Sequence, residues 1–327
     1  MKLAQIISTS LALSIPALAS PVKRDEKAGY LSVYWTTEDE SVFFALSEND
    51  DPLDFSPVNG GRAVATPTIG TGAVRDTSII AGQGESEGKY WIIGTDLNIG
   101  KTTWDNAVRN GSRAIYVWES NDLVNWDDTS LVTVEDTTAG MVWAPDAIWD
   151  PEEEQYLVHW ASKLYSETDA AHKQDPQTPN ILRYAHTKDF KTFTQPQTYL
   201  QQPTDIIDLS FLPLNETTFL RSYRDDSGGL PVEISTTGLR GEWTFLSKPP
   251  DSGSFEGPYF FRDNLDPSKG YFLADLVGSR PGVQAWVSSG DVAGGVFVKD
   301  TDHELGFMRH NSVLAVTGEQ VGVLRGM

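Results

Sequence analysis

The sequence has no cysteine in 327 residues. No disulfide can staple the fold, although an oxidising compartment would permit one. Thiol nucleophiles and thiolate metal sites are excluded with it. Basic side chains are scarce, 25 Lys and Arg against 46 Asp and Glu, which leaves a net charge of −21. That sign disfavours nucleic acid, anionic membrane surfaces and polyanionic polysaccharide, and costs a neutral partner nothing. Long apolar runs are missing too. The clearest one, Leu3–Ile15, is too short to span a bilayer as a helix. Helical periodicity is almost absent, and no stretch carries an amphipathic pattern through three clear turns.

What stands at the N-terminus is a processing signal. A short positive start, Met1-Lys2, precedes the apolar run, and Ala17-Leu18-Ala19 supplies the small residues that a signal peptidase reads. Lys23-Arg24 follows as a dibasic cut site. The expected organisation is a signal peptide over 1–19, a propeptide or linker over 20–29 and one domain over 30–327, secreted and extracellular. Two sequons, at Asn110 and Asn215, suit glycosylation in that compartment.

Short segments rich in aromatic and β-branched residues fill the remainder, among them Tyr30–Tyr34, Tyr90–Gly94, Tyr156–Trp160 and Tyr271–Ala274, each bounded by turn residues. Five of them share one design, in which a loop ends in a polar residue that heads an apolar strand. The polar residues are Asp76, Asp146, Asp208, Glu256 and His310, separated by 70, 62, 48 and 54 residues on subtraction of their numbers. That spacing fits a four-stranded antiparallel unit repeated five times. In Glu256-Gly257-Pro258 the glycine lets a ligand approach the backbone, and the proline, lacking an amide hydrogen, weakens the ladder at that strand end.

A second repeat runs in phase: strand, Ser or Thr, an acidic or glycine turn, then an aromatic plug, as in Trp118–Trp126, Ala185–Phe193 and Ile234–Trp243. After His310 the chain suffices for two strands, expected at Ser312–Val316 and Gln320–Leu324, while two or three strands precede Asp76. The N-terminal strands must therefore complete the blade that the C-terminus begins. The fold expected is all-β, a single five-bladed β-propeller closed by N-terminal strands joining the C-terminal blade. Ser166–Thr178 reads as a long loop, with His172 a solvated loop residue.

On such a fold the polar heads converge on the axis. Carboxylates gathered there raise one another's pKa, an arrangement that costs stability and marks function. A protonated carboxyl facing an ionised one across a sugar is what glycoside hydrolysis needs. The order Asp, Asp, Glu on successive inner strands, with Trp143-Ala144-Pro145-Asp146, Ile207-Asp208, Glu256-Gly257-Pro258 and Arg309-His310, resembles glycoside hydrolase family 43, the arabinanase, α-L-arabinofuranosidase and β-xylosidase group. The resemblance covers nearly the whole mature chain. It implies an inverting enzyme with Asp76 as general base, Asp208 as pKa modulator and Glu256 as general acid. Asp146, Trp143 and Arg75 would line the sugar pocket, and Trp35, Trp104 and Trp160 are further stacking candidates. His310 resembles an axial histidine that in relatives lies beside a metal ion or water, so a structural calcium in the central channel is allowed while no cofactor is required. The partner expected is a neutral plant polysaccharide or oligosaccharide, with no nucleic acid and no membrane, acted on by a monomer. Thr77 stands where the family usually has Pro, and Leu209 where it has Pro or a small residue. The reading this supports is a secreted exo-acting α-L-arabinofuranosidase, with a β-xylosidase or a non-catalytic sugar-binding propeller as alternatives. A fructoside-cleaving propeller is disfavoured because its Glu-Cys motif cannot exist here.

Overall fold

The computed structural model describes residues 26–278 and 282–327. The expected signal peptide and the dibasic site lie outside the described residues. Three strands open the chain: β1 (Lys27–Trp35), β2 (Phe43–Glu48) and β3 (Asp51–Pro57). A complete blade follows, β4 (Val74–Ala81), β5 (Tyr90–Asp96), β6 (Ala114–Ser120) and β7 (Ser130–Thr133), with a short helix α1 (Trp104–Asn110) between β5 and β6. The next blade holds β8 (Trp143–Asp150), β9 (Gln155–Ser162), β10 (Ile181–Thr187) and β11 (Gln197–Leu200). Then come β12 (Ile206–Pro213), β13 (Phe219–Asp225), β14 (Val232–Ser235) and β15 (Thr244–Ser247), followed by β16 (Phe255–Arg262), β17 (Gly270–Leu276), β18 (Val283–Ser288) and β19 (Phe297–Lys299). The last strand, β20 (Arg309–Thr317), precedes helix α2 (Gly318–Arg325).

These strands form five four-stranded sheets, the fifth in the order β20-β1-β2-β3. Antiparallel pairing of β1 with β20, Leu31 opposite Leu314 and Val33 opposite Ser312, closes the ring as the sequence predicts. Each five-bladed propeller core is a set of interfaces rather than a centre. One apolar cluster sits between each pair of neighbouring blades, for example Trp91 and Ile93 against Trp160 and Val158, or Leu220 and Val232 against Phe272 and Trp286. Fully burying one such large apolar side chain contributes about 1.5–3 kcal/mol.

The repeated turns join the third strand of each blade to its outermost one. Ser120 Oγ accepts from the Asp122 and Leu123 amides, and Thr187 Oγ1 accepts from those of Asp189 and Phe190. The side chain that fills the gap most completely is the residue inside the turn: Leu123, Phe190 and Leu239 are buried, while Trp126, Phe193 and Trp243 pack half-buried beside them.

Two local expectations are corrected. Gln320–Leu324 is helical, because Thr317 and Gln320 form a capping box that satisfies the first turn of α2. His172 is buried, stacked on Tyr165 at 4.1 Å, with its ring nitrogens 2.5 Å from the Arg109 carbonyl and 2.9 Å from that of Thr137. It anchors the 166–178 loop to the body rather than facing solvent. Among the described residues no helix is long and apolar enough to cross a membrane.

Candidate active site

All five innermost strands carry the same irregularity. Each pairs out of register with its neighbour over three residues: Arg75 to Ser78, Trp143 to Asp146, Ile207 to Ser210 and Glu256 to Tyr259, with the partner shift on β1 between Val33 and Trp35. An extra residue on the inner strand makes a bulge, which re-aims the side chains around it. The first bulge residue is left-handed in every blade: Asp76 (φ 52°), Ala144 (φ 47°), Asp208 (φ 59°), Gly257 (φ 57°) and His310 (φ 27°). Aspartate tolerates that conformation better than most residues, and glycine best. The second bulge residue needs no ladder amide, so Pro145 and Pro258 fit there. Thr77 and Leu209 occupy the same place and are buried. Their aspartates nonetheless keep the left-handed backbone.

The five polar heads therefore lie at different depths. Asp76, Asp208 and His310 are first bulge residues, Glu256 precedes its bulge by one, and Asp146 stands two beyond. The structure brings the first four together. His310 Nδ1 is 3.2 Å from Asp76 Oδ1, and Thr95 Oγ1 donates to Asp76 Oδ2 at 2.8 Å. The Gly257 amide donates to Asp208 Oδ2 at 2.9 Å, tying the modulator candidate to the strand that bears Glu256. Arg309 NH2 lies 3.8 Å from Glu256 Oε1, while Arg309 Nε donates to Asp275 Oδ2 at 2.5 Å. A Cβ on Gly257 would sit 2.7 Å from His310 Cγ, so this glycine is required by the imidazole as well as by its φ.

The charges are arranged to differ. Burial pushes the Asp76 carboxyl up, but the His310 charge and hydrogen bond, with Arg75 and Thr95, outweigh it and hold the group below the usual carboxylate range. Burial, and then the charge of Asp208, raise Glu256. Burial raises Asp208 as well, opposed by His310 and reinforced by Asp76. Burial opposes the charged form of His310, yet Asp76, Asp208 and Asp275 reverse it and lift the imidazole to about 10. At neutral pH the centre holds an imidazolium beside an ionised Asp76, facing a protonatable Glu256.

Beside Arg309, already part of the Arg309-His310 pair, Asp275, Arg224 and Thr95 complete the site, and no sequence pattern marks these three as functional. The signal was register: Asp275 lies directly opposite Glu256, Arg224 opposite Ile207 and Thr95 opposite Arg75. Arg75 is held by Glu40 at 2.6 Å and lies 4.4 Å from the Trp35 ring and 5.4 Å from that of Trp104. Trp35 also carries Arg309 at 5.0 Å and is buried, and Trp160 is wholly buried, so neither offers a face to a sugar. Trp143 is half-buried with its ring 6.0 Å from that of Trp104, which is 54% exposed at the start of α1. Asp146 sits deeper on the axis, bonded by Ser78 and the Ala147 amide, away from the four clustered heads. Asn110 and Asn215 are both exposed.

Among the described residues no group of three or more His, Asp or Glu side chains is placed to hold a metal. Calcium takes six to eight oxygen ligands, and His310 turns its Nδ1 to Asp76.

The profile of a family-43-related group, described as "Probable glycosyl hydrolase domain", matches residues 25–322. The chain belongs to this glycoside hydrolase family. An α-L-arabinofuranosidase of Bifidobacterium longum subsp. longum is 31% identical over 223 residues, 64% of this chain and 21% of that protein. The chain thus spans about a fifth of that relative's length. A thermostable family-43 glycoside hydrolase superposes with a TM-score of 0.52 at 16% identity, covering 76% of this chain and 81% of that one. A family-43 β-1,3-galactosidase with galactodeoxynojirimycin gives 0.51 at 10% identity, covering 75% and 78%. At such identities the two structures speak for the shared fold alone.

Proposed function

We propose that this chain is a secreted, inverting, exo-acting α-L-arabinofuranosidase that removes arabinofuranosyl groups from neutral plant cell-wall polysaccharide. The observation that carries the reading is the division of protonation among three carboxylates on neighbouring bulges: Asp76 ionised against His310, Glu256 raised by burial and by Asp208. In this reading Asp76 takes a proton from water as it attacks the anomeric carbon. Glu256 gives its proton to the departing glycosidic oxygen. Asp208, fixed by the Gly257 amide, keeps Glu256 protonated by like-charge repulsion. No cofactor enters the reaction, since water, one acid and one base suffice. The arabinofuranosidase relative supports arabinose as the sugar. Secretion rests on residues 1–19, the neutral partner on the net charge of −21, and glycosylation on the exposed Asn110 and Asn215. Arg75, next to Asp76 and acting on its charge, and Trp143, whose ring meets that of Trp104, are assigned to the sugar pocket.

The test uses p-nitrophenyl α-L-arabinofuranoside, the corresponding β-xyloside, arabinan and xylo-oligosaccharides, with products resolved by chromatography and the first-formed anomer by proton NMR. The expected result is arabinose released one residue at a time, initially as the β anomer. Xylose release alone would favour the β-xylosidase reading, an α anomer would exclude inversion, and binding without turnover would make the domain a sugar-binding propeller.

A further inference from the structure

The channel has a second mouth, opposite the carboxylates in the sense that it is built from the far halves of the same inner strands. Ile79–Ala81, Asp146–Trp149, Phe211–Pro213, Tyr259–Arg262 and Val313–Ala315 enclose a cavity of about 620 Å³. None of Asp76, Asp208, Glu256 and His310 lines it. A volume of roughly 300–1,000 Å³ suits a small organic molecule.

Its walls are largely apolar, and Ile148, Trp149 and Leu314 remain half-exposed where they face it. One acid stands among them on the axis. Both hydrogen bonds to Asp146, from Ser78 Oγ and from its neighbour's amide at Ala147, end on Oδ1. Among the described residues Asp146 makes no ion pair, in contrast to Asp76 with His310 and Asp275 with Arg309. Burial raises its carboxyl to about 6, with Ser78, the Ala147 amide and the charge of His310 opposing, so the group is still an anion at neutral pH. An anion in apolar surroundings without a direct counter-charge is costly unless something pairs with it. The rim does not supply the cation. Glu216 and Asp263 are acidic, and Arg262 spends its guanidinium on the carbonyls of Pro267 and Leu214.

We propose that this second mouth binds a small organic ammonium ion with an apolar or aromatic body, its ammonium donating to Asp146 Oδ2 and its body lying against Ile148, Trp149 and Leu314. The site is separate from the carboxylate cluster and does not depend on which sugar that cluster cleaves. Charge selects the head group, and the apolar wall selects the body. A sugar, with hydroxyls on every side, would leave most of them unpaired here.

Isothermal titration of the full-length secreted chain with benzylammonium, with benzyl alcohol as the neutral isostere, tests it. Benzylammonium is expected to bind saturably at millimolar concentration and benzyl alcohol at least about tenfold more weakly, the worth of one charge-assisted hydrogen bond. Asp146→Asn should erase the difference between the two probes, and Ala147→Leu, which adds bulk to the wall but keeps the carboxylate, should weaken both. If Asp146→Asn fails to fold, the Ala147→Leu titration decides. The inference is overturned by absence of saturable heat, by equal affinity for the two probes, by unchanged binding in both variants, or by loss of binding in Asp208→Asn instead, which would move the cation to the catalytic cluster.

Discussion

Asp208 touches Gly257 and stands between two other acids, and its consequence for the proton on Glu256 is measurable. Removing its charge in Asp208→Asn lets Glu256 ionise more easily, so the basic limb of the kcat/KM profile should move to lower pH, with roughly 10²-fold loss at neutral pH. An unshifted basic limb would mean that Asp208 does not govern Glu256. A different residue-scale prediction concerns stability. His159 is wholly buried on β9, opposite Asp146, with neither ring nitrogen hydrogen-bonded, and burial lowers it to about 3. Its pKa is depressed in the folded state from the ordinary 6.5, so unfolding takes up a proton at intermediate pH. The stability linked to it is complete above about 6.5 and is lost as pH falls toward 3, about 2 kcal/mol of it by pH 5. His159→Leu should therefore flatten the decline of the urea midpoint between pH 7 and pH 5. The same slope in variant and wild type would show that this imidazole is not buried neutral.

The bulge is the element that turns a propeller strand into a site. Asp76, Asp208 and His310 owe their orientation to left-handed backbone at one register position, and Gly257 makes room for the ring that neutralises Asp76. Gly257→Ala is expected to cost about 1–2 kcal/mol from its positive φ alone. The added methyl must also push His310 away from Asp76, so turnover should fall on activated and natural glycosides alike. A variant that melts lower yet keeps full kcat would separate the strain from the ring contact and leave His310 without a part in turnover.

At the scale of the molecule, closure is the point of weakness. The fifth blade takes one strand from the C-terminus and three from the N-terminus, and apolar clusters on both sides of it depend on that sheet. Deleting Lys27–Glu48 leaves β20 without its partner and exposes two blade faces, including Phe44, Leu46 and Phe43 contacts. The truncated chain should lose its cooperative thermal transition altogether. A sharp melt retained after the deletion would show that four blades stand alone.

Much of this was legible in the chain because a propeller repeats. Alternating apolar strands, a Ser or Thr turn in phase and five polar strand heads are local patterns, and local patterns set the number of blades, the inner strands and the N-to-C closure. The α2 capping box is written as Thr317-Gly-Glu-Gln320, but the valines that follow favour either state and the helix is short, so the local pattern alone suggests a strand. Depth along the axis was not legible. A bulge adds one residue to a strand, so five heads that look equivalent in sequence separate into a cluster of four and Asp146 below it. Nor could composition tell which tryptophans face a sugar: two arginines over Trp35 and neighbouring blades around Trp160 decide that. Protonation is the last case. Asp76 and Glu256 are both carboxylic acids in the sequence, and only the placement of His310 beside the first and of Asp208 and burial around the second holds one down and raises the other, because charge interactions depend on distance and burial and not on order along the chain.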